Sequence, residues 1–202
     1  SITNPLVISN GTIDAVEIGD IGVVAVAQQT ALTATACVDN LGNVYVATVP
    51  GTDAGNISGI AFFCIITNPG IITSFSVTTT ASANNVAAIG AVWEGPVDAI
   101  DANPGNNTDA TSPFLCLPTG ILISQPQIVI AWGAFGATLD GFGHDASLPF
   151  IAVFSVESGT LAGAILAYEV GSSTASVTAE FTGANVTNAV QGVSSFTQAA
   201  GA

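Results

Sequence analysis

Short runs of hydrophobic residues, separated by Gly, Asn, Asp, Pro and Ser, extend along the whole chain. These five residue types favour turns, and apolar runs of this length between turns favour β-strands. The stretch Phe75-Ser76-Val77-Thr78 also alternates between apolar and polar side chains, as a half-buried strand does. In the first half, the pattern predicts strands at Ile13–Ile18, Gly22–Ala27, Thr30–Cys37, Val44–Val49, Ile57–Ile66, Ile71–Thr80 and Asn85–Trp93.

The second half has the same pattern, and no segment shows sustained helical periodicity with caps and a charged face. Its predicted strands are Phe114–Ile123, Gln127–Ala134, Leu148–Phe154, Ala164–Val170, Ala175–Thr182 and Val186–Phe196. About a dozen short strands with turns between them are typical of two packed sheets. The sequence therefore predicts an all-β fold, a two-sheet β-sandwich of jelly-roll or Ig-like type.

The 202 residues are predicted to form an arm and one domain, since all-β domains often reach about 200 residues. Residues 1–20 are interpreted as an N-terminal arm or assembly strand, and residues 21–202 as a single β-sandwich domain. Within that domain, residues 94–112 are rich in Asp and Asn. This segment is predicted to be a long polar loop at the surface.

All charged residues of this chain are acidic. It has 14 Asp and Glu, no Lys or Arg, and one His, which gives a formal net charge of −14. Phosphate backbones and anionic lipids are bound through Lys and Arg, so we expect neither nucleic acid nor anionic membranes as partners. A side-chain ion pair within the chain could involve only His144. Apolar burial and hydrogen bonds must therefore hold the fold.

The hydrophobic runs also bear on location. Ile57–Ile66 and Ile128–Ala137 are too short to cross a bilayer, which needs about 20 apolar residues. No basic segment followed by an apolar one begins the chain, so no signal peptide is expected to remain. A trypsin-like protease would find no Lys or Arg to cleave after, which suits a protein outside cells. We expect no membrane insertion and an extracellular or virion-surface location.

Residues capable of catalysis are few. His144 is the only histidine, with Asp140 and Asp145 near it, but the sequence has no Gly-x-Ser-x-Gly nucleophile elbow. The three cysteines each lie in or next to an apolar run, which favours buried thiols. One disulfide, in any of three pairings, is the alternative. We predict that the protein is not an enzyme; its cysteines are Cys37, Cys64 and Cys116.

Oxygen-bearing side chains are concentrated in residues 94–112. Carboxylate and amide oxygens are the ligands that calcium prefers. Their spacing differs from that of an EF-hand, and ordinary turn chemistry is the alternative. The candidate calcium ligands are Asp98, Asp101, Asn103, Asn106 and Asp109, with a smaller set at Asp39, Asn40 and Asn43. No other cofactor is predicted.

Four Asn-x-Ser/Thr sequons occur, at Asn10, Asn56, Asn106 and Asn185. They would accept glycans only if the protein is secreted in a glycosylating host. Chance occurrence in a chain rich in Asn and Thr is the alternative.

The N-terminal segment is the candidate for contact between subunits. An extended terminal segment can add a strand to the sheet of a neighbour. Edge strands normally carry charges, often Lys, that prevent such pairing, and these are scarce here. We predict assembly contacts through Ile2, Leu6, Val7 and Ile8, with a strand folded onto its own subunit as the alternative.

Several turn-and-strand motifs resemble those of a known family. Cys37–Tyr45 contains a DNLGNxY turn, and Ile57–Ile66 and Phe75–Thr79 would be the next strands. The further motifs are Ala88–Trp93 with Gly95–Asp101, and Tyr168–Val170 with Ala175–Phe181 and Asn188–Phe196. Over about residues 30–198 the chain resembles a β-sandwich module of phage tail-fibre and other virion proteins and of secreted bacterial surface proteins. It departs from the pattern at Trp93 and Glu94, where Tyr and a small or polar residue are expected. The resemblance implies a structural or adhesive role without catalytic residues.

The sequence thus predicts a non-enzymatic structural subunit of an external assembly, either a virion surface or fibre or an extracellular filament. Its partners would be copies of itself, joined by strand pairing and apolar packing. The alternative is an adhesin module that binds surface glycans. In that case, Trp93, Trp132 and Tyr168 would be the platforms on which sugars stack.

Overall fold

The fold was determined as a computed structural model. The structure describes residues 5–9, 11–29, 34–52, 57–79, 85–102, 106–109, 114–116, 127–137, 143–146, 151–158, 162–171, 178–184 and 186–198. These residues form strands, turns and bends, and none of them belongs to a helix that could cross a membrane. The prediction of an all-β, sandwich-like fold is confirmed.

The strands follow one another with short connections. In the first half they are β1 (Leu6–Ile8), β2 (Ile13–Val16), β3 (Ile21–Gln29), β4 (Ala34–Asp39), β5 (Val44–Ala47), β6 (Gly51–Thr52), β7 (Ile57–Ile65), β8 (Gly70–Ile72), β9 (Phe75–Thr79) and β10 (Val86–Trp93). In the second half they are β11 (Val97–Ala102), β12 (Asn106–Asp109), β13 (Phe114–Leu115), β14 (Gln127–Ala137), β15 (Gly143–Ala146), β16 (Ile151–Ser158), β17 (Ala162–Gly171), β18 (Glu180–Ala184) and β19 (Val186–Gln198).

These strands pair in antiparallel fashion in four sheets. The largest sheet has the order β1-β9-β4-β5-β7-β3-β10. Strand β6 also belongs to it and pairs with the same edge of β7 as β5 does, at other residues. A second sheet has the order β11-β19-β14-β17-β16, with β12 also paired to β19. The order β13-β18-β15 forms a third sheet, and β2 pairs with β8. In the largest sheet, the end strands β1 and β10 approach each other, so the sheet is nearly closed on itself.

The second half of the chain repeats the strand pairing of the first. In the first half, the principal strands in chain order are β1, β3, β4, β5, β7, β9 and β10, and in the second half they are β13 to β19. We match the first strand of one set with the first of the other, and so on, so that β1 corresponds to β13 and β10 to β19. The sheet order of the first half is β1-β9-β4-β5-β7-β3-β10, and the corresponding strands of the second half are in the order β13-β18-β15 and β16-β17-β14-β19. One step differs, because β15 and β16 belong to separate sheets. We call these units the N-terminal repeat (β1–β10) and the C-terminal repeat (β13–β19), joined by β11 and β12.

Each repeat shares part of its strand order with an Ig sandwich. The second strand lies beside the fifth and the fifth beside the fourth, while the third lies beside the sixth. The ends differ from that arrangement. The first strand pairs with the sixth, and the last strand pairs with the second. In each repeat, the first strand therefore takes the sheet that the last strand occupies in an Ig domain, and the last strand takes the sheet of the first.

Three hydrophobic cores are stacked through the molecule. The first lies inside the N-terminal repeat and includes Phe62, Ile66 and Phe75. The second lies between the repeats and joins Phe63 of the first to Trp132 of the second. The third lies in the C-terminal repeat, around Phe114, Phe135 and Phe181. Because β3 and β7 separate the first two cores, both faces of these strands are buried, and they are continuous apolar runs.

The contact between the repeats is closest at Gly59 in β7. A Cβ atom on Gly59 would lie 2.6 Å from the Cβ atom of Ala134 in β14. Real Cβ atoms do not approach so closely, so the second core requires glycine here.

The structure differs from the predicted organisation in two places, and for the N-terminal segment it shows the stated alternative of strands folded onto their own subunit. Residues 94–112, predicted as a surface loop, contain β11 and β12, which pair with one edge of β19. Polar Asp and Asn side chains do not prevent this, because an edge strand is held by its backbone hydrogen bonds. The Gly-rich connection predicted around His144 contains β15. The predicted arm, residues 1–20, contains β1 and β2, which pair with β9 and β8 of the same chain.

Candidate assembly surfaces

The N-terminal residues predicted to contact another subunit lie on an edge strand of the largest sheet. Leu6, Val7 and Ile8 form β1, and Ile2 lies outside the described residues. Leu6 and Ile8 are half-buried against the first core, whereas Val7 is exposed to solvent. In the isolated chain these residues pair with their own subunit, and their contact with another subunit stays a prediction.

Exposed valines lie on three of four neighbouring strands of this sheet, and Ser76 lies on the fourth. Val7 lies opposite Ser76, Ser76 lies opposite Val38, and Val38 lies opposite Val44. Val46 shares this face because it follows Val44 by two positions in β5. The exposed fractions are 57% for Val7, 36% for Val38, 71% for Val44 and 66% for Val46. We call these four valines the valine face.

The other described strand residues on this face are uncharged. They include Ala36 and Thr78, which are exposed, and Ser76, which is half-buried. Exposed apolar residues grouped in this way, interrupted here only by uncharged side chains such as Ser76, are a feature of interaction sites in soluble proteins. The valine face is therefore the candidate association surface. Sequence reasoning selected Val7 but missed the other three valines. The alternation of Val44-Tyr45-Val46 could have shown that two of them share a face, but not that this face is exposed.

A buried carboxylate shapes the turn that carries Val38 and Val44. The Oδ1 atom of Asp39 accepts hydrogen bonds from the backbone N–H groups of Leu41 at 2.9 Å and Asn43 at 3.0 Å. Asp39 is the first residue of the DNLGN sequence, and these bonds are the side-chain-to-backbone contacts that such turns use. Gly42 has a φ of 86°, which glycine adopts without strain.

Asn43 ties this hairpin to the connection between β7 and β8. Its side chain is buried, and its Oδ1 atom accepts hydrogen bonds from the backbone N–H groups of Thr67 at 3.0 Å and Asn68 at 2.8 Å. Its Nδ2 atom donates to Asp39 Oδ2 at 2.9 Å and to the Asn68 carbonyl oxygen at 3.0 Å. One side chain thus joins two turns and fixes the end of the β4–β5 hairpin.

Tyr45 completes the network from the next strand position. Its hydroxyl group donates a hydrogen bond to Asp39 Oδ2 at 3.3 Å. Burial, followed by the negative charge of Asp39, raises the pKa of Tyr45 well above its ordinary range. The hydroxyl group therefore keeps its proton and remains a donor at all ordinary pH values.

This network bears on the smaller calcium site predicted at Asp39, Asn40 and Asn43. Asn40 Oδ1 accepts hydrogen bonds from the backbone N–H groups of Thr73 at 2.7 Å and Ser74 at 3.3 Å. The side-chain oxygens of Asp39 and Asn43 accept N–H or O–H donors in the same way. Hydrogens that point at these oxygens occupy the positions a cation would need. The geometry is that of ordinary turn chemistry.

The larger candidate set lies on the strands that cover β19. Asp98 and Asp101 lie at the two register shifts of β11, and Asn106 and Asp109 are the first and last residues of β12. Asn103 lies outside the described residues. Within the described part of the chain, no group of three or more His, Cys, Asp or Glu is placed to hold a metal ion. The calcium site stays a prediction.

The structure also describes few of the predicted glycosylation sites. Asn106 begins β12, and Asn10, Asn56 and Asn185 lie outside the described residues. Their glycosylation stays a prediction that depends on the host.

All three cysteines are buried and free. Cys37 lies opposite Tyr45 on β5, and β5 separates β4 from β7, which carries Cys64. Two strand spacings amount to about 10 Å, which is too far for a disulfide. Cys116 lies in the third core. Burial, followed by the charge of Asp39, raises the pKa of Cys37 to about 12 and that of Cys64 to about 11. Neither thiol forms the thiolate that a nucleophile needs.

The remaining candidates are one histidine and three aromatic residues. The His144 backbone lies in β15, opposite Gly183 of β18, and Asp140 lies outside the described residues. Trp132 is 1% exposed inside the second core, so the prediction that it could be a stacking platform for sugars is wrong. Trp93 and Tyr168 are half-buried, and their ring centroids are 5.9 Å apart. Of the three aromatic residues named for the glycan-binding alternative, these two remain.

Comparison of this chain with protein-family models, with curated proteins and with solved structures finds no match. The resemblance to phage tail-fibre and bacterial surface modules therefore stays a prediction from its motifs.

Proposed function

We propose that this chain is a non-enzymatic structural subunit of an external assembly, a virion surface or fibre or an extracellular filament, that associates with copies of itself. The observation that carries this proposal is the valine face, a group of exposed valines on β1, β4 and β5 among uncharged neighbours. An external setting is supported by the absence of Lys and Arg, which leaves trypsin-like proteases no site.

The size of the valine face limits what it can do alone. Complete burial of one valine side chain stabilises a contact by about 1.5–3 kcal/mol. The four exposed fractions amount to roughly two whole valines, or about 3–6 kcal/mol for each subunit. Association costs about 4–15 kcal/mol in lost translational and rotational freedom. The valine face therefore supports assembly when a second contact, such as strand pairing, acts with it.

Electrostatics favour contacts that exclude charge. Each copy carries a net charge of −14 without a basic side chain to pair with, so copies repel one another at a distance. The Debye length is about 10 Å at 0.1 M salt and about 3 Å at 1 M, so salt weakens this repulsion. Assembly through the valine face should accordingly become stronger as ionic strength rises.

The proposal is tested by sedimentation velocity and electron microscopy of the purified full chain, with and without calcium and at several salt concentrations. We expect oligomers or polymers. Val44→Lys places a charge at the most exposed position of the valine face. Ile18→Lys is the matched control, because Ile18 is 68% exposed in the turn between β2 and β3 and is not one of the four valines.

Both variants lower the net negative charge equally, so general repulsion falls in both. Val44→Lys should nevertheless weaken assembly at least tenfold, whereas Ile18→Lys should leave it unchanged or slightly stronger. A wild-type chain that remains monomeric under every condition would refute the proposed function. Equal behaviour of the two variants would remove the valine face as its basis.

A further inference from the structure

The valine face and its neighbours lie on four strands that contain a single acid. These strands are β1, β9, β4 and β5, with the sequences LVI, FSVTT, ATACVD and VYVA. The acid is Asp39, which is buried and accepts hydrogen bonds from Asn43 and from Tyr45, a residue of the first core. The outer side of these four strands is therefore uncharged, although the chain carries a net charge of −14.

The matching strands of the C-terminal repeat are not free of charge. They are β13, β18, β15 and β16, and their acids are Glu180, Asp145 and Glu157. One position can be compared directly. The exposed Val7 of β1 lies opposite Ser76, whereas the exposed Leu115 of β13 lies opposite Glu180. The lack of charge is therefore a property of the valine face and not of this strand arrangement as such.

The valine face continues the surface on which the two repeats pack. Val46 in β5 lies opposite Phe63 in β7, so the two side chains share a face of the sheet. The ring of Phe63 packs against that of Phe196 from the C-terminal repeat, with a centroid distance of 5.1 Å. Val46, by contrast, is 66% exposed. A second apolar surface placed on the valine face would therefore extend a type of packing that the chain already uses between its repeats.

The charge of the chain restricts which surface of a second copy can cover the valine face. The chain has no Lys or Arg, so an acid buried between two copies would have no basic partner, and burial of an unpaired charge is unfavourable. Exposed apolar residues elsewhere lie beside acids, since Leu115 is opposite Glu180 and Ile18 directly follows the exposed Glu17. The valine face of the second copy brings apolar side chains and no acid from its four strands.

We infer that the valine face binds the valine face of a second copy of this chain about a two-fold axis. This inference rests on the proposed function and specifies how one of its contacts is made. The contact is isologous, so each copy supplies the same four valines, and both faces leave water together. It closes on itself and makes a dimer, and growth beyond the dimer requires a different contact. A standard stable interface has about 20–30 residues a side, so this smaller pair should dissociate reversibly.

Opposite charges at one position test for self-pairing. Two copies of Val44→Lys would bring like charges together, and so would two copies of Val44→Glu. We expect each variant alone to raise the dissociation constant of the dimer at least about tenfold. An equimolar mixture brings Lys of one copy to Glu of the other, so it should assemble at least about tenfold more tightly than either variant alone. Sedimentation velocity at one fixed protein and salt concentration compares the three samples.

Rescue in the mixture distinguishes self-pairing from contact between the valine face and a different surface. In a contact with a different surface, the substituted residues of two copies do not meet, so the mixture would assemble as weakly as the separate variants. The same two substitutions at Val46, the other highly exposed valine of β5, repeat the test for an axis that passes closer to that residue. Ile18→Lys and Ile18→Glu are the matched controls, and their mixture should assemble as each does alone.

The outcomes separate this inference from the proposed function. A wild-type chain that assembles, without rescue at either Val44 or Val46, overturns the self-pairing and leaves the proposed function standing. A gain in the Ile18 mixture equal to that in the Val44 mixture also overturns the self-pairing, because general attraction between the variants would explain both. A wild-type chain that stays monomeric under every condition overturns both the inference and the proposed function.

Discussion

The strongest local prediction concerns Asn43, whose side chain joins two turns. Asn43→Ala removes an acceptor for the Thr67 and Asn68 backbone N–H groups and a donor to the buried Asp39 carboxylate. The shortened side chain leaves the two backbone N–H groups without this acceptor and removes one of the donors to Asp39, in a site that is partly closed to water because Asn43 and Asp39 are buried while Thr67 and Asn68 are exposed. The variant should therefore be less stable than wild type.

The magnitude follows from the number and kind of hydrogen bonds. A neutral hydrogen bond contributes about 1 kcal/mol net, and one to a charged group about 1.5–3 kcal/mol. Two backbone donors and one carboxylate contact together predict a loss of about 3–5 kcal/mol in the free energy of unfolding. Domains are stable by about 5–15 kcal/mol, so such a loss is large enough to measure.

Asn40→Ala is a matched control in the same turn. Asn40 Oδ1 also accepts two backbone N–H groups, from Thr73 and Ser74, but the side chain is exposed. Water can replace these contacts, so the expected loss is about 0.5–1 kcal/mol. The same substitution is thus made twice, with burial as the main difference.

The assay is urea-induced unfolding of both variants, followed by tryptophan fluorescence. Trp132 lies in the second core and reports global unfolding. We expect the Asn43→Ala midpoint to fall well below that of Asn40→Ala, with unchanged slopes. If the two variants lose the same free energy within 0.5 kcal/mol, burial of the Asn43 network does not stabilise the fold as we argue.

The other predictions concern the contact between the repeats and the buried thiols. Gly59→Ala should lower the free energy of unfolding by about 1–3 kcal/mol, because its Cβ atom would meet that of Ala134; a calorimetric melting temperature equal to wild type would contradict this. Cys37 and Cys64 should resist a thiol-specific reagent at pH 8 until urea unfolds the chain, and rapid labelling of the folded protein would count against their burial. Their raised pKa values mean that the folded state holds these protons more tightly than the unfolded state. Stability should therefore decline as pH rises from the ordinary cysteine pKa of 9.0 towards about 12, and less steeply in Cys37→Ala than in wild type.

The elements that sequence predicted well are those whose signal is local. Ile57–Ile66 was predicted and Ile57–Ile65 is a strand; Asn85–Trp93 was predicted and Val86–Trp93 is a strand. The DNLGN turn was predicted from residue types that tolerate positive φ and bond their own backbone, and the structure places it between β4 and β5. Such features depend on a few neighbouring residues, so the sequence contains them directly.

The elements that were missed depend on partners far away in the chain. β11 and β12 read as a polar loop because their strand character comes from pairing with β19, not from their own side chains. The internal repeat was also missed, because strand order is a property of pairing. Its trace in the sequence is the similar succession of three long strands, β3, β7 and β10 in one half and β14, β17 and β19 in the other.

By itself, the sequence determined that this protein is built of strands, that it has no basic side chain for nucleic acid or ion pairs, and which side chains alternate on a common face. Only the tertiary structure decided which faces and edges are covered. Val23 and Val24 point to opposite faces of β3, and both are buried because a core lies on each side. Val44 and Val46 are equally apolar, yet they are exposed, although Phe63, opposite Val46 on the same face of the sheet, is covered by Phe196 of the C-terminal repeat. The covering layers come from distant parts of the chain, and local hydrophobicity cannot report them.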